Sequence, residues 1–132
     1  MEIKYIEIPK KSDKGGNLSF MESNVHIPFD VKRVYYIYDL NDDGNQRGDH
    51  AHYKTKQVLF CISGSVKIGF DDGKEQKEFV LDKSNVGIYI PPMIWHYMKD
   101  FSPGCIILVV ASENYEEVDY IRNYENFINL IK

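Results

Sequence analysis

The sequence has only two cysteines in 132 residues, Cys61 and Cys105. They stand far apart, each inside an apolar run and with no CxxC pair, which excludes a disulfide framework and a thiolate zinc site. Both read as reduced core thiols with no partner nearby in the sequence, free cysteine being among the most often buried residue types. Positive charge is not in excess either: 16 Lys and Arg against 20 Asp and Glu give a formal net charge of −4 and a pI near 5.5. No basic stripe is present to neutralise phosphates along a nucleic acid, so that partner class is set aside. No run approaches the ~18 apolar residues of a membrane span. The stretch from Met1 to Gly16 lacks the apolar core of a secretory signal, and the expectation is a cytoplasmic protein with no membrane partner. Repeats, low-complexity tracts and linkers are missing as well, so residues 1–132 are read as one domain.

What the chain has is 43% hydrophobic and 14% aromatic residues, laid out as short runs punctuated by Gly, Asp, Asn and Pro roughly every ten residues, the rhythm of an all-β domain. Strands are expected at Ile3–Ile8, Leu18–Glu22, Val31–Tyr38, Val58–Ser63, Ser65–Phe70, Lys77–Leu81, Gly87–Ile90 and Ile106–Ala111. Polar turns separate several of them: Asn41 to Asn45, Asp71-Asp72-Gly73 and Ser102-Pro103-Gly104. From about Glu116 the pattern changes. Val118, Ile121, Tyr124, Ile128 and Ile131 recur every three or four residues, the stripe of an amphipathic helix. So many short strands in a small domain resolve their edges by closing into a barrel or a two-sheet jelly roll, which leaves an interior able to hold a ligand.

The segment Arg47-Gly48-Asp49-His50-Ala51-His52 carries the chemistry. If it is extended, His50 and His52 share a face, with Cα atoms roughly 7 Å apart. A single histidine on a strand is as readily a packed core residue, and His26, in a connection before Ile27-Pro28, reads that way. Two alternating imidazoles beside an Arg-Gly step are harder to explain by packing, because each needs a buried hydrogen-bond partner. Gln57 and Gly64 follow, then the run from Gly87 through Pro91-Pro92 to Trp95-His96. Together these resemble the two cupin motifs, HxH with an acid and a glycine, then PxGxxH, and imply a double-stranded β-helix jelly-roll barrel with a C-terminal α-helix. In metal-binding cupins the acid is a glutamate that joins three histidines around an ion. Here Gln57 stands at that position, which argues against a tight metal site, and no metal or other cofactor is expected.

A narrower resemblance rests on Lys32-Arg33-Val34-Tyr35-Tyr36-Ile37, Arg47-Gly48-x-His50-Ala51-His52, Asp71-Asp72-Gly73, Gly87-Ile88-Tyr89 with Pro92 and Trp95-His96, and Asp119-Tyr120-Ile121-Arg122-Asn123-Tyr124. In order and over nearly the whole chain, these are similar to the dTDP-4-keto-6-deoxyglucose 3,4-ketoisomerases. The resemblance implies an enzyme that converts a dTDP-linked 4-keto-6-deoxy sugar to its 3-keto isomer, ahead of an aminotransferase and an acetyltransferase that complete a 3-acetamido-3,6-dideoxy sugar for surface glycans. It also implies a homodimer that exchanges N-terminal strands. Histidine suits the chemistry, since the C3 proton is acidified by the C4 carbonyl and a near-neutral base can remove it. His50 is assigned as base and His52 as proton relay, an order the sequence alone would allow to be reversed. His96, Tyr38 and Gln57 are candidate donors to the enediolate. Arg33 and Arg47 are candidates for the diphosphate, with Lys54 as a surface alternative, and Tyr35 shares strand parity with Arg33.

The family and its epimerase relatives carry Asp-x-Arg-Gly near the N-terminus, whereas here Asp13-Lys14-Gly15-Gly16 has glycine in place of the arginine. Two other readings stand beside the ketoisomerase: a metal-dependent cupin enzyme and a non-catalytic nucleotide-sugar-binding cupin. A DNA-acting regulator is disfavoured, because the tail from Glu116 to Lys132 is too acidic and solitary for a helix-turn-helix.

Overall fold

The computed structural model describes residues 1, 3–41, 43–44 and 46–132; Asp42 and Asn45 of the polar loop expected over 41–45 lie outside them. The strands are β1 (Lys4–Glu7), β2 (Lys10–Asp13), β3 (Gly16–Ser19), β4 (Arg33–Ile37), β5 (Arg47–His52), β6 (Gln57–Ser63), β7 (Val66–Asp71), β8 (Gln76–Leu81), β9 (Val86–Ile90), β10 (Trp95–Lys99), β11 (Ile106–Ala111) and β12 (Tyr120–Ile121), followed by helix α1 (Tyr124–Ile131). They form two five-stranded antiparallel sheets, β1-β9-β6-β11-β4 and β12-β5-β10-β7-β8, with β2 and β3 as a separate hairpin. This is the cupin-like all-β fold with one C-terminal helix that the strand rhythm and motifs imply.

The two sheets share one apolar interior. Leu59, Ile88, Ile107 and Val109 from the first meet Ile68, Phe70, Leu81 and Met98 from the second, as alternation along each strand requires. A second cluster, Ile27 and Phe29 against Val58, Phe60 and Val110, uses the opposite parity of β6 and β11. A third joins Ala51 and Trp95 to Ile121 and Phe127, so the C-terminal segment is seated behind the strand that carries the histidines. Among the described residues no helix is long and apolar enough to cross a membrane.

Three details depart from the sequence reading. The helix expected from Glu116 begins at Tyr124, where the Asn123 side chain caps it by accepting from the Asn126 N–H at 2.9 Å. Residues 117–119 instead make a 3-10 turn and 120–121 pair with β5, because Asp119 is drawn into the barrel wall. Strand β10 was not expected, since Trp-His-Tyr-Met-Lys after two prolines has no clear alternation, and the strand expected over 18–22 lies earlier, as half of the β2–β3 hairpin. The cysteines, distant in sequence, sit on β6 and just before its neighbour β11, as buried free thiols in hydrogen-bond contact with their sulfurs 3.6 Å apart.

Candidate active site

One end of the interior opens into a cavity of about 630 Å³ lined by Arg33, Tyr35, Arg47, His50, Gln57, His96, Tyr115, Tyr120 and Arg122 among others. Strand β4 supplies Arg33 and Tyr35 by simple alternation, its inward residues half-buried and its outward ones exposed. Strand β5 does not alternate simply. Its pairing with β10 slips between His96↔His50 and Met98↔Arg47, and Gly48 takes φ +74° at that point. A left-handed glycine in a bulge adds one residue to one strand and re-aims what precedes it. Arg47 and His50, three apart, therefore both line the cavity. Across the ladder His96 is the direct partner of His50, and the two rings meet at 4.7 Å.

The three imidazoles form a tight group, with ring centroids of His50 and His52 4.9 Å apart and of His52 and His96 6.1 Å. His50 is half-buried at the cavity wall, while His52 and His96 are buried. His52 Nδ1 lies 3.0 Å from Asp119 Oδ2, and His96 Nδ1 lies 3.1 Å from the Ile94 carbonyl. A carboxylate and a carbonyl only accept, so each Nδ1 carries the proton and each Nε2 carries a lone pair. Burial, then the neighbouring His96, His52 and Arg122, pushes the His50 pKa down to about 2. Burial also takes His96 down to about 4 against the opposing Ile94 carbonyl, and lowers His52 despite its bond to Asp119. All three are neutral at physiological pH.

The opposite side of the cavity is cationic. The Arg33 guanidinium lies 5.3 Å from the Tyr35 ring and 5.6 Å from the Tyr115 ring, and its Nε is buried without a partner among the described residues. Arg122 stacks on Tyr120 at 4.3 Å and donates from Nε and Nη2 to the two Glu117 oxygens at 2.9 and 3.0 Å. Gln57 Nε2 donates to the Tyr35 hydroxyl at 2.8 Å. That leaves the tyrosine proton to be given onward, and burial pushes the Tyr35 pKa up to about 12, so it stays a donor.

A family model described as "FdtA: WxcM-like, C-terminal" matches residues 1–132. The chain is 48% identical over 127 residues to the TDP-4-oxo-6-deoxy-alpha-D-glucose-3,4-oxoisomerase of Aneurinibacillus thermoaerophilus, covering 96% of this chain and 91% of that one. The chain belongs to the FdtA family of sugar 3,4-ketoisomerases. Among solved structures, the 3,4-ketoisomerase QdtA of Thermoanaerobacterium thermosaccharolyticum in complex with TDP superposes with a TM-score of 0.95 at 46% identity, covering 98% of this chain and 93% of that one. The Helicobacter canadensis 3,4-ketoisomerase does so with a TM-score of 0.95 at 40% identity, covering 99% and 98%.

Of the residues expected at the site of this ketoisomerase, Arg33, Tyr35, Arg47, His50, Gln57 and His96 line one cavity. His52 stands directly behind His50. Lys54 and Tyr38 lie elsewhere: Lys54 is exposed and pairs with Glu116 at 3.3 Å, and Tyr38 has the outward parity of β4, its ring 5.4 Å from that of Tyr36. His26 is likewise remote, its Nδ1 accepting from the Glu22 N–H at 3.0 Å. Tyr120 and Arg122 were not expected there, because the tail read as helix, and Tyr115, just before that tail, was not among the expected site residues. The Tyr-Ile-Arg parity of an extended segment would have put Tyr120 and Arg122 on one face.

The nitrogens of His50, His52 and His96 all lie within 4.8 Å of one another, close enough to converge on an ion. The set nonetheless fits poorly with the iron or manganese sites of metal cupins. Among the described residues it is three neutral imidazoles with no carboxylate, since Asp119 faces the far nitrogen of His52 and Gln57 is engaged with Tyr35.

Proposed function

We propose that this ketoisomerase acts on TDP-4-keto-6-deoxyglucose, moving its keto group from C4 to C3 by proton transfer at His50, in the cytoplasm. The observation that carries the assignment is a neutral imidazole on the cavity wall facing Arg33 and Arg47, which pair with no carboxylate among the described residues: a proton acceptor and a diphosphate grip in one cavity. The substrate named for the 48% identical relative supports it.

In this mechanism the diphosphate sits against Arg33 and Arg47, where charge-assisted hydrogen bonds reward its oxygens. His50 removes the C3 proton as the C4 carbonyl becomes the enediolate oxygen, which accepts from the Tyr35 hydroxyl. The diphosphate and the enediolate bring negative charge into the cavity and raise the basicity of His50 as it accepts the proton. His50 then returns the proton at C4. The O3-to-O4 proton relay expected of His52 falls instead to His96, because His96 lines the cavity whereas His52 stands behind His50, and with Nδ1 on the Ile94 carbonyl the His96 Nε2 lone pair is available to move that proton.

The test is turnover of the chelator-treated protein with TDP-4-keto-6-deoxyglucose in deuterated water, followed by proton NMR. Deuterium at C3 or C4 with a 3-keto product accumulating is expected, and the coupling constants give the C4 configuration. Turnover only after a divalent ion is restored would refute the mechanism, and binding without exchange would make the protein a nucleotide-sugar receptor.

We further assign the active form to a homodimer with exchanged N-terminal strands. Every residue of β2 and β3 is exposed, and Val34 and Tyr36, on the outward face of the terminal strand β4, are 57% and 62% exposed. A bare apolar stripe beside an open sheet edge favours pairing with another copy. Light scattering giving twice the 15.4 kDa chain mass is the expected result.

A further inference from the structure

Asp119 is buried, and its carboxylate is over-supplied with donors. Lys54 N–H reaches Oδ1 at 2.8 Å; Thr55 N–H at 3.3 Å, the Thr55 hydroxyl and His52 Nδ1 all reach Oδ2. Three of these four donors belong to the loop after β5 and would fix the carboxylate whether or not His52 were there. The backbone adds to the clamp: Tyr53 N–H donates to the Asp119 carbonyl at 3.0 Å, and Tyr120 pairs with His52 in the ladder. Hydrogen bonds of this kind hold the Asp119 carboxyl below its ordinary range although burial alone would raise it.

A fixed acceptor at Nδ1 fixes the tautomer of His52. Its Nε2 then carries a lone pair, and that atom is buried with no partner among the described residues. His96 is fixed in the same sense by the Ile94 carbonyl. His50 thus stands beside two imidazoles that offer only lone pairs. Neutral His50 has a single N–H; turned toward His52 it would meet that unpartnered Nε2 and leave the other nitrogen's lone pair for the cavity.

We propose that Asp119 is a positioning residue for the isomerisation: it sets the His52 tautomer, which in turn sets His50 with its basic nitrogen toward the substrate and takes up part of the charge when His50 is protonated. The inference rests on His50 being the base, but its primary readout does not. In the intact protein with ¹⁵N-labelled histidine, long-range proton–nitrogen NMR is expected to find His52 protonated at Nδ1. In Asp119→Asn, the amide donates to Nδ1 and the tautomer reverses. The expected kinetic result is a kcat lower by about 10²–10⁴-fold, with TDP affinity within twofold of wild type.

Thr55→Val, which removes one anchor and keeps the carboxylate, is expected to retain the Nδ1–H form and most of the activity. Wild-type His52 protonated at Nε2 would overturn the proposal, even if Asp119→Asn failed to fold. So would an Asp119→Asn protein with kcat within threefold of wild type, or one that loses TDP binding in step with activity. Absence of wild-type turnover would instead count against the substrate assignment alone.

Discussion

The two ends of the cavity are built on opposite principles. At the histidine end every ring is neutral and crowded, and the two deeper ones are pinned by an oxygen at Nδ1. At the guanidinium end the charges are numerous and partly exposed: Arg47 is exposed, the Arg33 Nε has no partner among the described residues, and Arg122 pairs with the exposed carboxylate of Glu117. A proton can be steered only by groups whose donor and acceptor nitrogens are settled beforehand, which calls for burial and fixed neighbours. A diphosphate needs accessible positive charge, which tolerates solvent and movement. The division predicts that the two ends fail in different ways when altered.

The largest effect should come from His50→Asn. It removes the proton acceptor but keeps a polar side chain of similar reach, so kcat should fall by about 10³-fold or more, while TDP binding measured by calorimetry stays near the wild-type value. Equal losses in both quantities would erase the distinction between the ends.

Next in size is the pH dependence of stability. The folded-state pKa of His50 is pushed to about 2 and that of His96 to about 4, each from an ordinary value of 6.5. As pH falls below 6.5 the unfolded chain takes up protons that the folded chain refuses. The stability these groups leave intact above that pH is therefore lost as pH falls toward the folded values. Each histidine contributes up to roughly 1.4 kcal/mol per pH unit in that window. Urea titrations from pH 7.5 to 4.5 should show the decline, and His50→Asn should make it shallower by about one histidine's share. A guanidinium-end substitution such as Arg47→Gln should leave the slope unchanged.

Arg33→Gln should weaken TDP binding by about 10–50-fold, the loss of one charge-assisted contact, and reduce its salt dependence, with kcat altered far less. The smallest effects belong outside the cavity. Lys54→Ala and Tyr38→Ala should each leave kcat and KM within about twofold, since surface ion pairs and exposed rings contribute little. A chelator should have no effect on turnover.

Strand rhythm and motif order make the fold legible in the sequence, and the Arg33–Tyr35 alternation and the His50–His52 pair point to two facing parts of the site. Three features were not legible. The tail's three-to-four spacing masks residues 120–122 as helix, because an isolated two-residue strand has no periodicity to detect. Asp119 looks like any surface acid; only the fold shows that the loop after β5 supplies three donors to it. The cysteines read as unconnected because they lie 44 residues apart along the chain, and only the pairing of β6 with β11 brings Cys61 and the residue just before β11 together.

Gly48 gives the site an uneven tolerance to genetic change. Its extra residue shifts the phase of β5, so that Arg47 upstream and His50 downstream face the same way. Replacing a neighbour such as Asp49, exposed and bonded to Gln46, alters one side chain. Deleting or inserting a single codon between 47 and 50 would return the strand to strict alternation or overshoot it, rotating the arginine away from the histidines without removing either. Sequence variants in this stretch should therefore sort by length before they sort by chemistry.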